Sequence, residues 1–165
     1  MLKDSRVKVN EPNFVGYTPL WIAANIGHLD TIEWWIASGR EIDLGKPGDV
    51  DYTDAIGVAK NRHKRKVVTL LERFKKNPVE IRYSMRVELG LLDELAAEMF
   101  ALVVFVSDGL LQVDDTTPSP RFFSIASQLP LELQMVLCFR QVGSTKEIVQ
   151  GKDSEAAFKD LARRI

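Results

Sequence analysis

Apolar side chains recur every three or four residues along most of this chain, which is the spacing of one face of an α-helix. The first two such stripes consist of Leu20, Ala23 and Ala24, followed by Ile32, Trp35 and Ile36. Thr18 and Pro19 precede the first stripe, where Thr can accept a hydrogen bond from a free helix amide and Pro loses no needed donor. Gly27 separates the stripes, and glycine tolerates the left-handed conformation that ends a helix. The pattern predicts two short helices joined by a tight turn.

Helical periodicity continues to the end of the sequence. The predicted segments are 79–89, 91–113, 121–129 and 131–141, a short helical turn over 145–149, and a last helix capped by Asp153 or Ser154. The segment 91–113 is apolar on most sides and is predicted to form the centre of the C-terminal half, with Asp108-Gly109 as its kink or end. In the segment 131–141, the residues predicted to point inwards are Leu133, Val136, Leu137 and Phe139. No segment has the two-residue period of a β-strand, so the predicted fold class is all-α.

One stretch near the start of the chain, GYTPLWIAANIGHLDTIEWWIASGREID over residues 16–43, resembles the ankyrin repeat. The residues that carry the resemblance are Gly16, Thr18-Pro19-Leu20, Ala23-Ala24, Gly27-His28, Trp34-Trp35-Ile36, Gly39 and Glu41-Ile42-Asp43. Trp21 stands where the family usually has His, and Trp34-Trp35 stand where it usually has leucines. The resemblance implies a helix–turn–helix architecture and leaves the partner open.

A second, degenerate copy of this pattern begins 35 residues later, at Asp51. In that alignment Pro19 corresponds to Asp54 and Gly27 to Arg62, which predicts a longer or distorted turn at Arg62. Residues 2–10 read like the end of an earlier repeat, so we expect the chain to be a fragment of a longer array. The predicted domains are ankyrin repeats over 1–77 (a partial repeat 1–10, a repeat 11–45 and a degenerate repeat 46–77) and a C-terminal α-helical domain over 78–165. The predicted architecture is a repeat stack capped by a C-terminal helical bundle.

The resemblance also implies a binding face, formed by residues beside the turn glycine and after the Ala-Ala pair. The residues at these positions are Phe14, Val15, Tyr17, Asn25 and Ile26, extended in the second copy by Val50, Tyr52 and Lys60. Four of the first five are apolar or aromatic, and aromatic anchors are favoured at protein interfaces. The alternative is that neighbouring helices, or an upstream repeat, cover these side chains.

A basic segment in the second copy predicts an alternative function. Its candidate anion-binding residues are Arg62, Lys64, Arg65 and Lys66, within a cationic stretch from Lys60 to Lys76. Such a cluster attracts nucleic acid, phospholipid or an acidic protein segment. The alternative is a solvated loop, because charge runs are mostly solvated surface. No aromatic residue alternates with these charges, as stacking on single-stranded nucleic acid favours.

Composition narrows the function classes further. A net charge of −1 over 165 residues argues against a protein that binds polyanions over its whole surface. The single Cys138 predicts a reducing compartment, and the polar start of the chain lacks a signal-peptide pattern. The most apolar segment, 95–106, is too short to span a bilayer. We therefore predict an intracellular protein without a membrane segment.

Catalytic chemistry has little support in the sequence. Cys138 is the only cysteine and His28 and His63 are the only histidines, and their spacing fits neither a metal site nor a nucleophile with its base. No glycine-rich phosphate loop is present. We predict a non-enzymatic protein-interaction module or adaptor without a cofactor, with an unidentified protein partner and nucleic acid disfavoured. Self-association through an open N-terminal repeat edge, with Trp21, Trp34 and Trp35, is a further alternative.

Overall fold

The computed structural model describes residues 7–45, 54–114 and 119–163. Over these ranges the chain forms nine α-helices and no strand, which confirms the predicted all-α class. By its internal contacts the chain divides into two compact units, Met1–Leu89 and Gly90–Ile165. In the described part of the chain, no helix is long and apolar enough to cross a membrane.

The first unit contains five helices. They are α1 (Pro19–Ile26), α2 (Leu29–Ala37), α3 (Ala55–Asn61), α4 (Arg65–Lys76) and α5 (Pro78–Glu88). The sequence signals at the start and end of α1 act as predicted. The Thr18 hydroxyl accepts a hydrogen bond from the Trp21 amide at 3.2 Å, and Pro19 is the first helical residue. Gly27 ends α1 in the left-handed conformation, with φ of 93°.

The turn between α3 and α4 repeats the turn between α1 and α2 at an offset of 36 residues. His63 takes the left-handed conformation with φ of 56°, as Gly27 does after α1. The Lys64 amide donates to the Ala59 carbonyl at 2.8 Å, and the equivalent bond from His28 to Ala23 measures 2.9 Å. The 35-residue alignment is therefore one residue short. The longer turn predicted at Arg62 is confirmed, since three residues, 62–64, separate α3 from α4, whereas two, 27–28, separate α1 from α2. Arg62 has an ordinary φ of −84°, and the next residue, His63, makes the turn.

The buried faces of α1 and α3 combine four alanines with larger apolar side chains. Helix α1 packs on α2 and α3, α3 packs on α4, and α5 packs on both α2 and α4. The buried residues of α1 and α3 are Leu20, Ala23, Ala24, Ala55, Ile56, Val58 and Ala59. Of the two adjacent tryptophans of α2, Trp35 is 4% exposed and belongs to this core, whereas Trp34 is 45% exposed.

Two arginines on α5 bind the backbone at the end of α2. Arg86 Nε donates to the Ala37 carbonyl at 2.9 Å, and an Arg82 guanidinium nitrogen donates to the Arg40 carbonyl at 3.0 Å. The Arg82 guanidinium also lies 5.5 Å from the centre of the Phe74 ring. Burial lowers the pKa of Arg86, and the positive charge of Arg82 lowers it further. Positive charge at a helix C-terminus interacts favourably with the carbonyl groups that have no partner within the helix, and with the helix dipole.

Helix α5 therefore belongs to the first unit. The sequence places a domain boundary between residues 77 and 78, at the Asn77-Pro78 helix break. In the structure Asn77 caps α5 by accepting from the Glu80 amide at 3.3 Å, so the break joins two packed helices. The division between compact units instead falls after Leu89.

The second unit is organised around α6, as predicted. Its helices are α6 (Leu92–Ser107), α7 (Pro120–Ala126), α8 (Leu131–Gln141) and α9 (Gly151–Ala162). Helix α6 packs on each of the other three. Its buried residues are Ala96, Ala97, Phe100, Ala101 and Val103. Phe158 of α9 packs edge-on against Phe100 with ring centres 6.1 Å apart.

Helix α6 ends at Ser107 with Asp108 as its cap, which confirms Asp108-Gly109 as the end of the helix predicted over 91–113. Two predictions for the second unit are wrong in detail. The predicted helical turn over 145–149 is irregular backbone, held by Arg140, which donates to the carbonyls of Ser144 and Lys146 at 2.9 and 3.1 Å. Helix α9 begins at Gly151, before both predicted caps.

The inward face of α8 is also shifted from the predicted one. Leu133 is 51% exposed, whereas its neighbour Gln134 is 5% exposed. The Gln134 amide nitrogen donates to the Leu129 carbonyl at 2.9 Å and to the Ser107 hydroxyl at 3.3 Å. These bonds satisfy a donor that burial would otherwise leave unpaired. Phe139 is buried and Val136 and Leu137 are half-buried, as the periodicity predicts.

The 36-residue alignment can be tested by placing glycine at each of two neighbouring positions. His63→Gly is expected to stabilise the first unit by about 0.5–1 kcal/mol, since it removes a left-handed non-glycine residue at the cost of extra freedom in the unfolded chain. Arg62→Gly is the matched control and is expected to destabilise, because φ at Arg62 suits any residue. Urea denaturation followed by tryptophan fluorescence reports this unit, which holds all three tryptophans. The opposite order of stabilities would contradict the alignment.

Candidate protein-binding surface

The turn that precedes α1 is held in one conformation by Asn13. The amides of Val15 and Tyr17 both donate to the Asn13 side-chain oxygen at 3.0 Å. The Asn13 amide donates to the Tyr17 carbonyl at 3.0 Å, and the Gly16 amide donates to the Asn13 carbonyl at 2.9 Å. Phe14, at the tip, is 101% exposed. A fully solvated aromatic side chain therefore stands on a hydrogen-bonded turn.

The outer face of α1 also carries exposed apolar side chains. Tyr17 and Trp21 stack with their ring centres 4.0 Å apart and their planes 8° apart. Ile22 and Ile26, one helical turn apart, are both exposed. We call the exposed set Phe14, Val15, Tyr17, Ile22 and Ile26 the α1 surface. The alternative that neighbouring helices cover the predicted residues does not hold for Phe14, Val15, Tyr17 and Ile26, which are exposed in the structure.

Asn25 joins the α1 surface to the basic turn after α3. Its side-chain oxygen accepts a hydrogen bond from Arg62 Nε at 2.9 Å. The Lys64 side chain passes so close to Gly27 that a β-carbon on this glycine would lie 2.8 Å from Lys64 Cδ. Two of the predicted anion-binding residues therefore adjoin the C-terminal end of α1, beside Ile26.

The predicted cations have different environments. Lys60 forms an ion pair with Glu72 at 2.7 Å, and hydrogen bonding and attraction to that carboxylate raise the Lys60 pKa. Arg62 is held by Asn25, and Lys64 is half-buried by its neighbours. Arg65 and Lys66 are exposed at the first turn of α4, and no described carboxylate pairs with either. The predicted site residues Val50 and Tyr52 lie outside the described residues.

The structure adds three residues that sequence reasoning did not assign to the site. Asn13 orders the turn, Trp21 supports Tyr17, and Ile22 extends the exposed apolar face. Asn followed three residues later by Gly is a turn signal that identifies Asn13 in advance. The one-turn spacing of Ile22 and Ile26 identifies Ile22 only once the buried face of α1 is known.

Cys138 lies in the second unit, on the buried side of α8. Burial raises the pKa of its thiol to about 12. At neutral pH the side chain is therefore a protonated thiol, which is a poor nucleophile. In the structure Cys138 is a small buried side chain of the helix core.

Comparisons with known proteins do not extend these observations. No protein-family model matches the chain. No curated protein and no solved structure matches it either.

The order of the turn before α1 depends on Asn13. Replacing Asn13 by Ala removes both side-chain hydrogen bonds, each worth about 1 kcal/mol, and the amides of Val15 and Tyr17 should exchange with solvent about fivefold to tenfold faster. Hydrogen exchange followed by NMR measures both amides directly. Asn77→Ala is the matched control, since it removes a similar bond to the Glu80 amide and should leave Val15 and Tyr17 unchanged. Equal exchange in the two variants would show that Asn13 does not order the turn.

Proposed function

We propose that this chain is a non-enzymatic protein-interaction module whose partner binds the α1 surface. The observation that carries the proposal is the exposure of five large apolar side chains on one turn and the helix that follows it. Exposed apolar patches of this kind mark interaction sites more often than scattered single residues do. The supporting turn is hydrogen-bonded, so little conformational entropy is lost when a partner binds.

We propose further that the first unit is an ankyrin-type stack and that the second is a helical bundle around α6. Support for the stack comes from the Thr18 cap, the left-handed turns at Gly27 and His63, and the packing of α1 on α3. The 36-residue offset between equivalent turns supports two copies of one unit. In such a stack the first helices and the preceding turns face the partner. The α1 surface occupies that position.

The test is the double substitution of Tyr17 and Ile26 by Ala. Binding of protein partners from cell extract should fall at least about tenfold, since aromatic and aliphatic anchors carry most interface energy. The free energy of unfolding should change by no more than about 1 kcal/mol, because both side chains are exposed and only the stack on Trp21 is lost.

Val79→Ala with Val87→Ala is the matched control for this experiment. Both valines are exposed apolar residues of the same unit, on α5. The control variant should retain the partners that the Tyr17/Ile26 variant loses. A large loss of stability in the Tyr17/Ile26 variant would instead show that the two residues belong to the core.

A second candidate function is an anion- or nucleic-acid-associated adaptor that uses the basic segment. The exposure of Arg65 and Lys66, together with the exposed part of Lys64, favours it. Neutralising three phosphates of a single strand predicts that the logarithm of the binding constant falls with the logarithm of salt with a slope of about −2. Titration of a labelled oligonucleotide at several salt concentrations measures this slope. Replacing Lys64, Arg65 and Lys66 by Gln should abolish the salt dependence of binding. An affinity of the unchanged chain that does not depend on salt would rule out this candidate function.

A further inference from the structure

The two ends of the α1 surface differ in chemical character. At the N-terminal end, Phe14, Val15 and Tyr17 present apolar and aromatic groups. At the C-terminal end, Arg62 is bonded to Asn25 at 2.9 Å and Lys64 lies against Gly27. Ile26 stands between Asn25 and Gly27 in the chain, so the residues on either side of the last apolar anchor are in contact with Arg62 and Lys64.

We propose that the occupant of the α1 surface is an acidic protein segment that carries apolar or aromatic anchors. This inference rests on the proposed interaction function and names its partner class. The apolar end of the surface provides contacts for the anchors, and the guanidinium of Arg62 and the ammonium of Lys64 attract the acids. The hydrogen bond to Asn25 holds the Arg62 side chain in place before binding, so less rotamer entropy is lost when a carboxylate pairs with it.

The contacts of the basic residues favour a peptide over a nucleic acid. A phosphate backbone binds through a succession of cations that each neutralise a phosphate. Here Lys60, which begins the basic segment, forms an ion pair with Glu72 at 2.7 Å. The cations that contact Asn25 and Gly27 are Arg62 and Lys64, whereas Arg65 and Lys66 lie on α4. The rings of Tyr17 and Trp21 are stacked on each other, so one face of each ring is not accessible for stacking with a nucleic-acid base. Two cations beside apolar anchors match an acidic peptide.

The dimensions of α1 set the spacing within the partner. From Pro19 to Ile26 the chain makes seven helical steps, about 10 Å at about 1.5 Å per residue, and the two non-helical steps from Tyr17 to Pro19 add up to about 3.3 Å each, so Tyr17 and Ile26 are separated by about 10 to 17 Å. An extended segment advances about 3.3 Å per residue. Its acidic residues should therefore lie about four residues from its aromatic or aliphatic anchor when the segment runs along α1.

The experiment is a selection of short random peptides, displayed on phage, against the intact chain. The enriched peptides should carry Asp or Glu about four residues from an aromatic or aliphatic residue. Charge reversal by Arg62→Glu with Lys64→Glu should weaken the selected peptides at least about tenfold, because attraction becomes repulsion. The matched control is Lys75→Glu with Lys76→Glu, which changes the net charge by the same amount at the far end of α4. Its affinity for the selected peptides should stay within about twofold of that of the unchanged chain. Circular dichroism and the urea midpoint confirm that both variants fold.

The outcomes separate this inference from the function on which it rests. Peptides that lose binding in the Tyr17/Ile26 variant but not in the Arg62/Lys64 variant would overturn the acidic partner and leave the interaction surface standing. Peptides insensitive to both variants, or no enrichment, would overturn the surface itself.

Two other occupants are tested directly with the same variants. A single-stranded oligonucleotide that binds more tightly than the best peptide at physiological salt, and loses binding on Arg62/Lys64 reversal, would replace the peptide by a nucleic acid. A dimer seen by light scattering and dispersed by the Tyr17/Ile26 change would replace it by a second copy of the chain. Either result would overturn the proposal.

Discussion

The close packing of α1 on α3 is the constraint on which the candidate surface depends. Ala23, Ala24 and Ala59 are small and buried, so the two helices can approach without large side chains between them. Because that face of α1 is committed to the core, Ile22 and Ile26 necessarily face outwards. The same approach brings the turns at the two helix ends together, which is what places Arg62 within bonding distance of Asn25. A larger side chain at Ala24 would disturb both the core and the surface.

Order in the surface comes from polar groups rather than from burial. The apolar side chains themselves are exposed, so they gain little from folding, and their positions are fixed by Asn13, the Thr18 cap and the left-handed Gly27. Each hydrogen bond accepted by the Asn13 and Thr18 side chains contributes about 1 kcal/mol, which is enough to restrict the conformation of a short turn. Partner binding then needs less ordering of the chain than a flexible loop would require. Stability and recognition are thus carried by different residues.

Local signals in the sequence predict most helices, the Thr18 cap and the exposed anchors of α1. The predictions fail where contacts between residues that are distant in the sequence determine the conformation or the burial of a side chain. Glycine marks a left-handed turn in sequence, but His63 takes that conformation because the packing of α3 and α4 imposes it, and the alignment was therefore one residue short. Leu133 is exposed and its neighbour Gln134 is buried, because the Gln134 amide nitrogen donates to the Leu129 carbonyl and the Ser107 hydroxyl. Likewise, the pairing of Lys60 with Glu72 depends on how two helices pack, which no local pattern reveals.

The start of α4 departs from the usual charge pattern of helices in a way that the proposed partner explains. A helix N-terminus carries partial positive charge and favours acidic residues, yet its first turn here contains no acid, and Lys64, Arg65 and Lys66 stand at this end. Such local departures concentrate where a surface serves binding rather than stability. An acidic segment seated along α1 would bring carboxylates to Arg62 and Lys64, and so supply negative charge beside the helix end that lacks it. Lys64, Arg65 and Lys66 would then lower the stability of the free chain, and the carboxylates of the partner would restore that stability in the complex.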